Sequence, residues 1–281
     1  MIASDINPSE LERFIFFERK AGFADRFLRL RRILRASNKL RVPVFVYWPI
    51  NSACNDHYLS FFEQIDNVCF VDEKAANRLR YHPYRIEESL IKKKSEGWLL
   101  FGENFSILRL KPEYVDIVKS FVSQNNIADT VGFHVRKTDL VKKEQKHGLT
   151  IQYQIFDQVA EKSTTKIFLA TDNEGVRKDF VKKYGERIVL YDAEFDPEQL
   201  RQTSLEVAII ELFVLAHCSK FYGTIRDNSY MISAFSILAK HLNDAKKKNA
   251  LPMFKSSTTA RENMFSPVIK KMKLINIKRC S

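Results

Sequence analysis

Short apolar runs rich in β-branched and aromatic residues alternate along the chain with longer segments of helical periodicity. In the first half, "RFIFFER" and "VPVFVYW" predict strands, and "AGFADRFLRLRRILRAS" between them predicts a helix. The apolar side chains of that helix recur at three- and four-residue spacing, which predicts one buried face. The members of this face are Phe23, Phe27, Leu30, Ile33 and Leu34.

The rest of the first half gives a weaker pattern. "FFEQIDNVCFVD" is assigned to an irregular region, and residues 73 to 112 are basic and fit no element. "PEYVDIVKSFVSQNN" then predicts a helix with Pro112 in its first turn, a position where the missing N–H of proline costs nothing.

The second half alternates more regularly. Strands are predicted at "DTVGFHVR", "KIFLAT", "ERIVLY" and "KFYGT", and buried helices at "SLEVAIIELFVLAHC" and "NSYMISAFSILAKHL". This alternation is typical of an α/β fold with parallel strands of the doubly wound kind. We expect a first domain at residues 1–125, a second at 126–245, and a basic tail at 246–281 that returns to the first domain.

Composition narrows the class of partner. Lysine and arginine outnumber aspartate and glutamate by 46 to 34 in 281 residues, a net charge of +12. This excess favours an anionic partner, namely nucleic acid, a phosphate-bearing substrate or an acidic membrane, although a basic solvated surface would give the same count. The four cysteines lie far apart and predict reduced thiols. With no signal-peptide pattern and no apolar run of about 18 to 20 residues, we expect a cytoplasmic protein.

The stretch "VGFHVRKTDL" places charge directly behind an apolar run. His134 and Arg136 are two residues apart, so in a strand their side chains project from one face and can converge on one ligand. The guanidinium of Arg136 is a planar fork of donors suited to phosphate oxygens. The alternative is structural: Arg136 pairs with Asp139, and His134 is satisfied in the core.

Two further strand ends carry small polar residues. "FLATDN" ends in Thr171, Asp172 and Asn173, which either cap the next helix or line a ligand cleft. In "YGTIRDNSY" a strand leads into a helix, and the free amide donors of that helix start suit a phosphate, while simple capping again explains the same residues. The residues of this second segment are Thr224, Asp227, Asn228 and Ser229.

Together these segments resemble a known family. "GFHVRKTD" resembles the HxRxTD-type segment of the fucosyltransferases, the group with the core α1,6 enzymes, the nodulation enzymes and, more remotely, the protein O-fucosyltransferases. "IFLATDN" and "DNSYMISAFS" follow in the order typical of that family. The resemblance implies a GT-B architecture, two Rossmann-like domains facing across a cleft, with the sugar nucleotide held mainly by the second. It also implies a metal-independent enzyme with no cofactor.

The resemblance implies roles for single residues. Arg136 matches the arginine that neutralises the donor pyrophosphate, and His134 the histidine beside it. Glu211 falls where relatives carry an acidic residue that reads the guanine edge. Glu144 falls where the α1,6 enzymes carry a glutamate proposed as general base, with a loop salt bridge as its alternative. Asp139 is assigned to the donor site, where it orients Arg136 or caps the turn.

The first half matches the family less closely. "AGFADRFLRL" resembles its glycine-containing turn and helix, which makes Gly22 and Arg26 candidates for the acceptor side. For Arg26 the alternative is a surface arginine on a basic helix.

The leading hypothesis is therefore a metal-independent inverting transferase that moves fucose from GDP-fucose to a glycan or lipid-linked oligosaccharide acceptor. Another GDP-sugar as donor, a basic nucleic-acid-binding protein and a catalytically silent lectin-like relative are the alternatives. No zinc pattern or RNP-like segment supports a specific nucleic-acid partner. The basic tail "SPVIKKMKLINIKRC" suits peripheral contact with the inner face of a membrane, or packing on its own protein.

Overall fold

The structure of the protein is a computed structural model. It describes residues 2–7, 11–87, 89–91, 108–137, 156–162, 164–199, 201–223 and 233–247. Contacts between Cα atoms divide the chain between Arg109 and Leu110 into two compact units. Each unit contains its own parallel sheet, and each is described separately below.

The first unit contains a three-stranded parallel sheet in the order β1-β2-β3. Its elements in chain order are β1 (Ile15–Glu18), α1 (Phe23–Leu40), β2 (Val44–Tyr47), α2 (Tyr58–Phe61), β3 (Val68–Val71) and α3 (Glu73–Arg80). The strands are almost entirely apolar and buried, as expected for a parallel sheet. At the free edge of β1, Phe14 pairs with Arg85, so the segment that follows α3 lies alongside the start of the strand.

Helix α1 confirms the predicted amphipathic helix. Phe23, Phe27 and Leu30 are buried, while Ile33 and Leu34 further along the same face are only half-buried. The helix ends at Arg41, whose φ of 55° is left-handed and whose N–H bonds back to the Ser37 carbonyl. This is a common helix termination, here without glycine.

Strand β3 corrects the assignment of "FFEQIDNVCFVD" to an irregular region. The strand is only four residues long and fully buried, so it shows no alternation of polar and apolar positions. Residues 73 to 112, which fit no element in the sequence, contain α3. The Asp72 side chain caps this helix by accepting from the Ala75 N–H at 2.8 Å.

The second unit contains a four-stranded parallel sheet in the order β6-β5-β4-β7. Its elements in chain order are α4 (Pro112–Gln124), β4 (Val131–Val135), β5 (Ile167–Thr171), α5 (Glu174–Tyr184), β6 (Ile188–Val189), α6 (Leu205–His217), β7 (Lys220–Gly223) and α7 (Ala234–Lys247). These elements confirm the strands and helices predicted for this half, within the described residues.

The strand order gives the second unit a switch point. From β4 the chain moves outward through β5 to β6, and then returns through α6 to place β7 on the other side of β4. In open α/β sheets a crevice opens at such a reversal, beyond the carboxyl ends of the strands, and ligands bind there. The segment that follows Val135 leaves β4 at this crevice.

The division between the units precedes α4, whereas the sequence places the boundary near residue 126. Helix α4 packs on the second unit, where Phe121 makes edge contacts with Phe168 of β5 at 5.8 Å and with Tyr191 at 5.3 Å. "NNIAD" has the composition of a linker, but it forms a tight connection from α4 to β4. It contains a left-handed Asn126 (φ 49°) and the 3₁₀ turn Ile127–Asp129.

Close packing beneath β4 requires a glycine at position 132. A Cβ on Gly132 would lie 2.9 Å from both Cys218 Sγ and Leu215 Cδ2, so the end of α6 presses directly on the strand. Asn243 of α7 holds this end by donating to the carbonyl of Cys218 at 2.7 Å and to those of two preceding residues. The sheet and the two helices therefore form one packed support for the switch point.

Cys54, Cys69 and Cys218 are buried free thiols, and Cys280 lies outside the described residues. Among the helices of the described ranges, none combines the length and apolar character that a membrane crossing requires.

Candidate functional site

His134 lies near the carboxyl end of β4 and is almost fully buried. Its Nδ1 lies 2.7 Å from the hydroxyl of Ser236 on α7. Its ring stacks on Phe235, with 4.4 Å between the centroids. The histidine is therefore held by the start of α7, on the side of β4 where β7 lies.

A short serine relay connects to this histidine. The Ser233 hydroxyl lies 3.1 Å from the Ser236 hydroxyl, which in turn lies 2.7 Å from Nδ1 of His134. Burial, reinforced by the positive charges of Arg136 and Arg201, lowers the pKa of His134 to about 3. The imidazole is therefore neutral at physiological pH and offers a polar N–H rather than a charge.

Arg136 follows directly after β4 and is half-buried. It lies close enough to His134 to depress its pKa, so the structure brings the two predicted residues together. A guanidinium at this place presents a planar fork of N–H donors suited to phosphate oxygens. The predicted pairing of Arg136 with Asp139 lies outside the described residues.

The ends of β4 and β5 are tied together through Asp172. Its Oδ1 accepts a hydrogen bond of 3.2 Å from the backbone N–H of Lys137, and its carbonyl accepts one of 3.3 Å from Gln202. Asp172 therefore fixes the backbone immediately after Arg136. It acts in this unit as a positioning residue for the loop that carries the arginine.

The "FLATDN" segment also contains a helix cap. The Asn173 side chain accepts from the Val176 N–H at 3.0 Å, which confirms the capping alternative for this residue. Thr171 Oγ1 accepts from the Asn173 N–H at 3.3 Å. The Gln202 side chain accepts from the Glu174 N–H at 2.9 Å and so occupies a further amide of this helix start.

Glu211 lies in the middle of α6 and is only 6% exposed, which is unlike a solvated helix-face glutamate. Burial raises the pKa of Glu211 well above its usual value, and the negative charge of Asp172 acts in the same direction. Arg177 and a hydrogen bond from the backbone N–H of Thr171 lower it. A carboxylate with two oxygens retains acceptor capacity beyond this one bond.

Several residues of this region are missing from the sequence-based set. They are Arg177, Arg201, Gln202, Ser233 and Ser236. The two serines carried a usable signal, since hydroxyls three residues apart at a helix start face the same side. The first three lie on α5 or on the loop before α6, where no local pattern marks them.

Gly22 and Arg26 lie in the first unit. Gly22 precedes α1 with an ordinary extended backbone (φ −67°), so its conformation does not require glycine. Arg26 is fully buried, which corrects the alternative of a surface arginine. It donates to the carbonyls of Ala21 at 2.5 Å and Pro49 at 2.6 Å, and its guanidinium lies 5.1 Å from the centroid of the Trp48 ring.

The remaining predicted residues lie outside the described ranges. They are Glu144, Asp139, Thr224, Asp227, Asn228 and Ser229. Among the residues that are described, no group of three or more histidine, cysteine, aspartate or glutamate side chains is placed to hold a metal ion. Independence from a metal stays a prediction.

The comparisons by sequence found no significant match for the chain. No protein-family model matches the chain. No curated protein matches it significantly.

Solved structures match along most of the chain. Fucosyltransferase NodZ from Bradyrhizobium has a TM-score of 0.54 at 14% identity, covering 82% of this chain and 92% of that one. NodZ alpha-1,6-fucosyltransferase soaked with GDP-fucose also gives 0.54, at 16% identity with the same coverage. The apo form of POFUT1 gives 0.50 at 13% identity, covering 86% of this chain and 97% of that one. The resemblance predicted from the motifs is confirmed at the level of the fold, and the chain is an α/β protein similar to these fucosyltransferases.

Proposed function

We propose that the protein is a metal-independent, inverting glycosyltransferase that transfers fucose from GDP-fucose to a hydroxyl of a glycan acceptor. The observation that carries this proposal is the position of Arg136 and His134 at the switch point of a sheet whose fold matches fucosyltransferases, one of them soaked with GDP-fucose. The fold alone does not fix an activity. The chemistry of the switch-point residues supports the specific reaction.

The diphosphate of the donor would lie against Arg136. The guanidinium offers a planar fork of donors at this strand end, and Asp172 holds the backbone that follows it. His134, which is neutral, would donate through Nε2 and so add a hydrogen-bond donor without adding charge. Together these groups stabilise the negative charge that develops on the leaving diphosphate.

The guanine base would be read by Glu211. The carboxylate can accept from the ring N1–H and the exocyclic amine together, as required to distinguish guanine from other bases. Its burial supports this role, because a desolvated acceptor discriminates strongly between a partner that donates and one that does not.

The transfer would be a single displacement. The acceptor oxygen forms a bond to the anomeric carbon as the bond from that carbon to the β-phosphate oxygen breaks, with inversion and release of GDP. The acceptor proton passes to Glu144, the assigned general base, which lies outside the described residues. The two units would form the GT-B pair, the first for the acceptor and the second for the donor.

Release of GDP from GDP-fucose tests the proposal directly. GDP would be measured with and without EDTA, over a panel of glycan acceptors, with GDP-mannose as the competing donor. Acceptor-dependent, EDTA-insensitive release from GDP-fucose is expected. Stronger release from GDP-mannose would assign the other GDP-sugar alternative, and oligonucleotide binding without any effect of GDP would favour the nucleic-acid alternative.

A further inference from the structure

A basic pocket lies in the first unit, away from the residues assigned above. It has a volume of about 370 Å³ and lies at the free edge of β1, between α1 and the segment that follows α3. Its charged lining consists of five arginines and one glutamate, Arg19, Arg29, Arg32, Arg80, Arg85 and Glu18. The volume is in the range of small-molecule sites, and the lining leaves four positive charges in excess.

Three of these arginines are held in place by the protein. Arg80 forms an ion pair of 2.8 Å with Glu18, and Arg19 pairs with Asp25. Arg85 donates to the Arg80 carbonyl at 2.5 Å, with its guanidinium 5.8 Å from the ring centroid of Phe16. These contacts hold the three guanidinium groups in fixed positions in the lining of the pocket.

Arg29 and Arg32 differ from the other three. They are one turn apart on α1, so their side chains face the same way, and both are exposed. Within the described ranges neither forms a hydrogen bond or an ion pair. Partial desolvation and the neighbouring charges of Arg29 and Arg35 lower the pKa of Arg32, while Asp25 raises it. Two like charges that face one cavity, neither of them bonded to a carboxylate of the described residues, are the arrangement that a bound oxyanion would stabilise.

The segment from Arg80 to Arg85 also exposes two aromatic rings. Tyr81 is 84% exposed and Tyr84 is 53% exposed, although large apolar rings are usually covered. This six-residue segment therefore contributes two charged donors to the pocket and exposes two aromatic rings at neighbouring positions of the chain.

We propose that this pocket binds a phosphate or pyrophosphate group of the acceptor, so that the acceptor is an anionic glycan. This rests on the proposed function, in which the first unit holds the acceptor. Planar guanidinium groups from α1 and from the segment after α3 would donate to the oxygens of the anion from two sides. The shared chemistry covers both a phosphate on a soluble sugar and the pyrophosphate of a lipid-linked oligosaccharide.

Titration with inorganic pyrophosphate tests the pocket. The titration is done on the full chain in the presence of saturating GDP, so that the donor site is occupied. The test variant is Arg29→Gln with Arg32→Gln, and the control is Arg13→Gln with Lys74→Gln, which removes the same charge from exposed positions outside the pocket. We expect pyrophosphate affinity to fall at least about tenfold in the test variant and by less than about twofold in the control.

Three results would overturn the proposal. They are equal losses in the two variants, no pyrophosphate binding in a protein that binds GDP, and an oligonucleotide that displaces pyrophosphate at lower concentration. If GDP itself does not bind, loss of pyrophosphate binding in the test variant alone would still support the pocket while the proposed function fails. Both proteins must show the unfolding midpoint of the wild type, so that a folding defect is not mistaken for a binding defect.

Two further experiments distinguish a phosphate on a soluble sugar from the pyrophosphate of a lipid-linked oligosaccharide. A soluble hexose 1-phosphate competes with pyrophosphate if the acceptor is a soluble phosphorylated sugar. Binding to phosphatidylcholine vesicles only when they contain polyprenyl pyrophosphate, and loss of that binding in the test variant, would assign the lipid-linked source. If the hexose 1-phosphate does not compete with pyrophosphate and the vesicles do not bind, the acceptor assignment is overturned.

Discussion

His134 on β4 and Ser236 on α7, 102 residues apart in the chain, share a hydrogen bond of 2.7 Å between Nδ1 and Oγ. This bond joins the strand that leads to Arg136 with the helix on the β7 side of the switch point. It also gives a ring nitrogen of a buried, neutral histidine a polar partner, and the Ser233 hydroxyl lies 3.1 Å from the same Ser236 oxygen. The bond is therefore a structural tie between the strand and the helix.

Ser236→Ala removes the partner of a buried ring nitrogen. We expect a loss of about 1 to 3 kcal/mol in the free energy of unfolding, the cost of an unsatisfied buried polar group. Urea unfolding at neutral pH measures it. Ser123→Ala, at an exposed position of α4 in the same unit, is the control and should change stability by less than about 0.5 kcal/mol. Equal effects in the two variants would mean that the relay contributes no stability.

The buried His134 predicts a specific acid sensitivity. Its pKa is about 3 in the folded protein, below the value near 6.5 expected when unfolded, so the unfolded state binds the proton first as the pH falls. Stability from the neutral imidazole is complete above about pH 6.5 and is lost below it, at up to about 1.4 kcal/mol per pH unit.

The His134→Asn variant separates this effect from the other histidines. Its unfolding free energy, followed from pH 7.5 to 5, should fall less steeply than that of the wild type. His57 and His217 also have lowered pKa values, so both proteins keep a residual slope. Parallel curves for the two proteins would show that His134 is not the group that titrates.

If Glu211 reads the base, the protein should select guanine over other bases. Inosine diphosphate lacks the exocyclic amine of guanine, so the wild type should bind GDP more tightly than inosine diphosphate by about tenfold or more. Glu211→Gln keeps an acceptor for the Thr171 N–H but replaces the second oxygen with an amide donor, so this preference should shrink. Glu206→Gln, at an exposed position on the same helix, should retain it. A preference that survives Glu211→Gln would remove Glu211 from base recognition.

Replacement of the buried Arg26 should lower the stability of the protein strongly. Arg26→Ala would leave the carbonyls of Ala21 and Pro49 without this donor and uncover a cavity beside Trp48. We expect a loss of about 3 kcal/mol or more in the free energy of unfolding. Arg13→Ala removes an exposed arginine and should stay within about 0.5 kcal/mol. Full stability of Arg26→Ala would contradict a structural role.

The sequence predicts the local elements well where periodicity is strong. Helix α1 and strand β4, which contains Gly132, can be predicted from the spacing of apolar residues alone, because their buried positions carry apolar side chains. Strand β3 is not predicted, because its four buried residues show no alternation of polar and apolar positions. The sequence assigns α4 to the first domain, because its packing partner Phe168 lies 47 residues further along the chain than Phe121.

The sequence also predicts part of the candidate site from the spacing of residues along a strand, but it does not predict contacts with distant elements. His134 lies near the end of a strand and Arg136 directly follows that strand, so their shared face can be derived from spacing. The partners that define their state come from distant elements: Ser236 from α7, Arg201 from the loop before α6. Nothing local in the sequence predicts that His134 is neutral, since that property arises only when these elements pack together.

Calorimetric titration with GDP, on the wild type and on Arg136→Ala, tests the central claim most directly. GMP and UDP serve as competing ligands, EDTA is present in one arm, and Arg13→Ala controls for the loss of one positive charge. The account predicts EDTA-insensitive GDP binding that weakens by about 2 kcal/mol or more, roughly thirtyfold, in Arg136→Ala and stays unchanged in Arg13→Ala. Absence of GDP binding, or binding that is indifferent to Arg136, would contradict the assignment of the donor site to the end of β4.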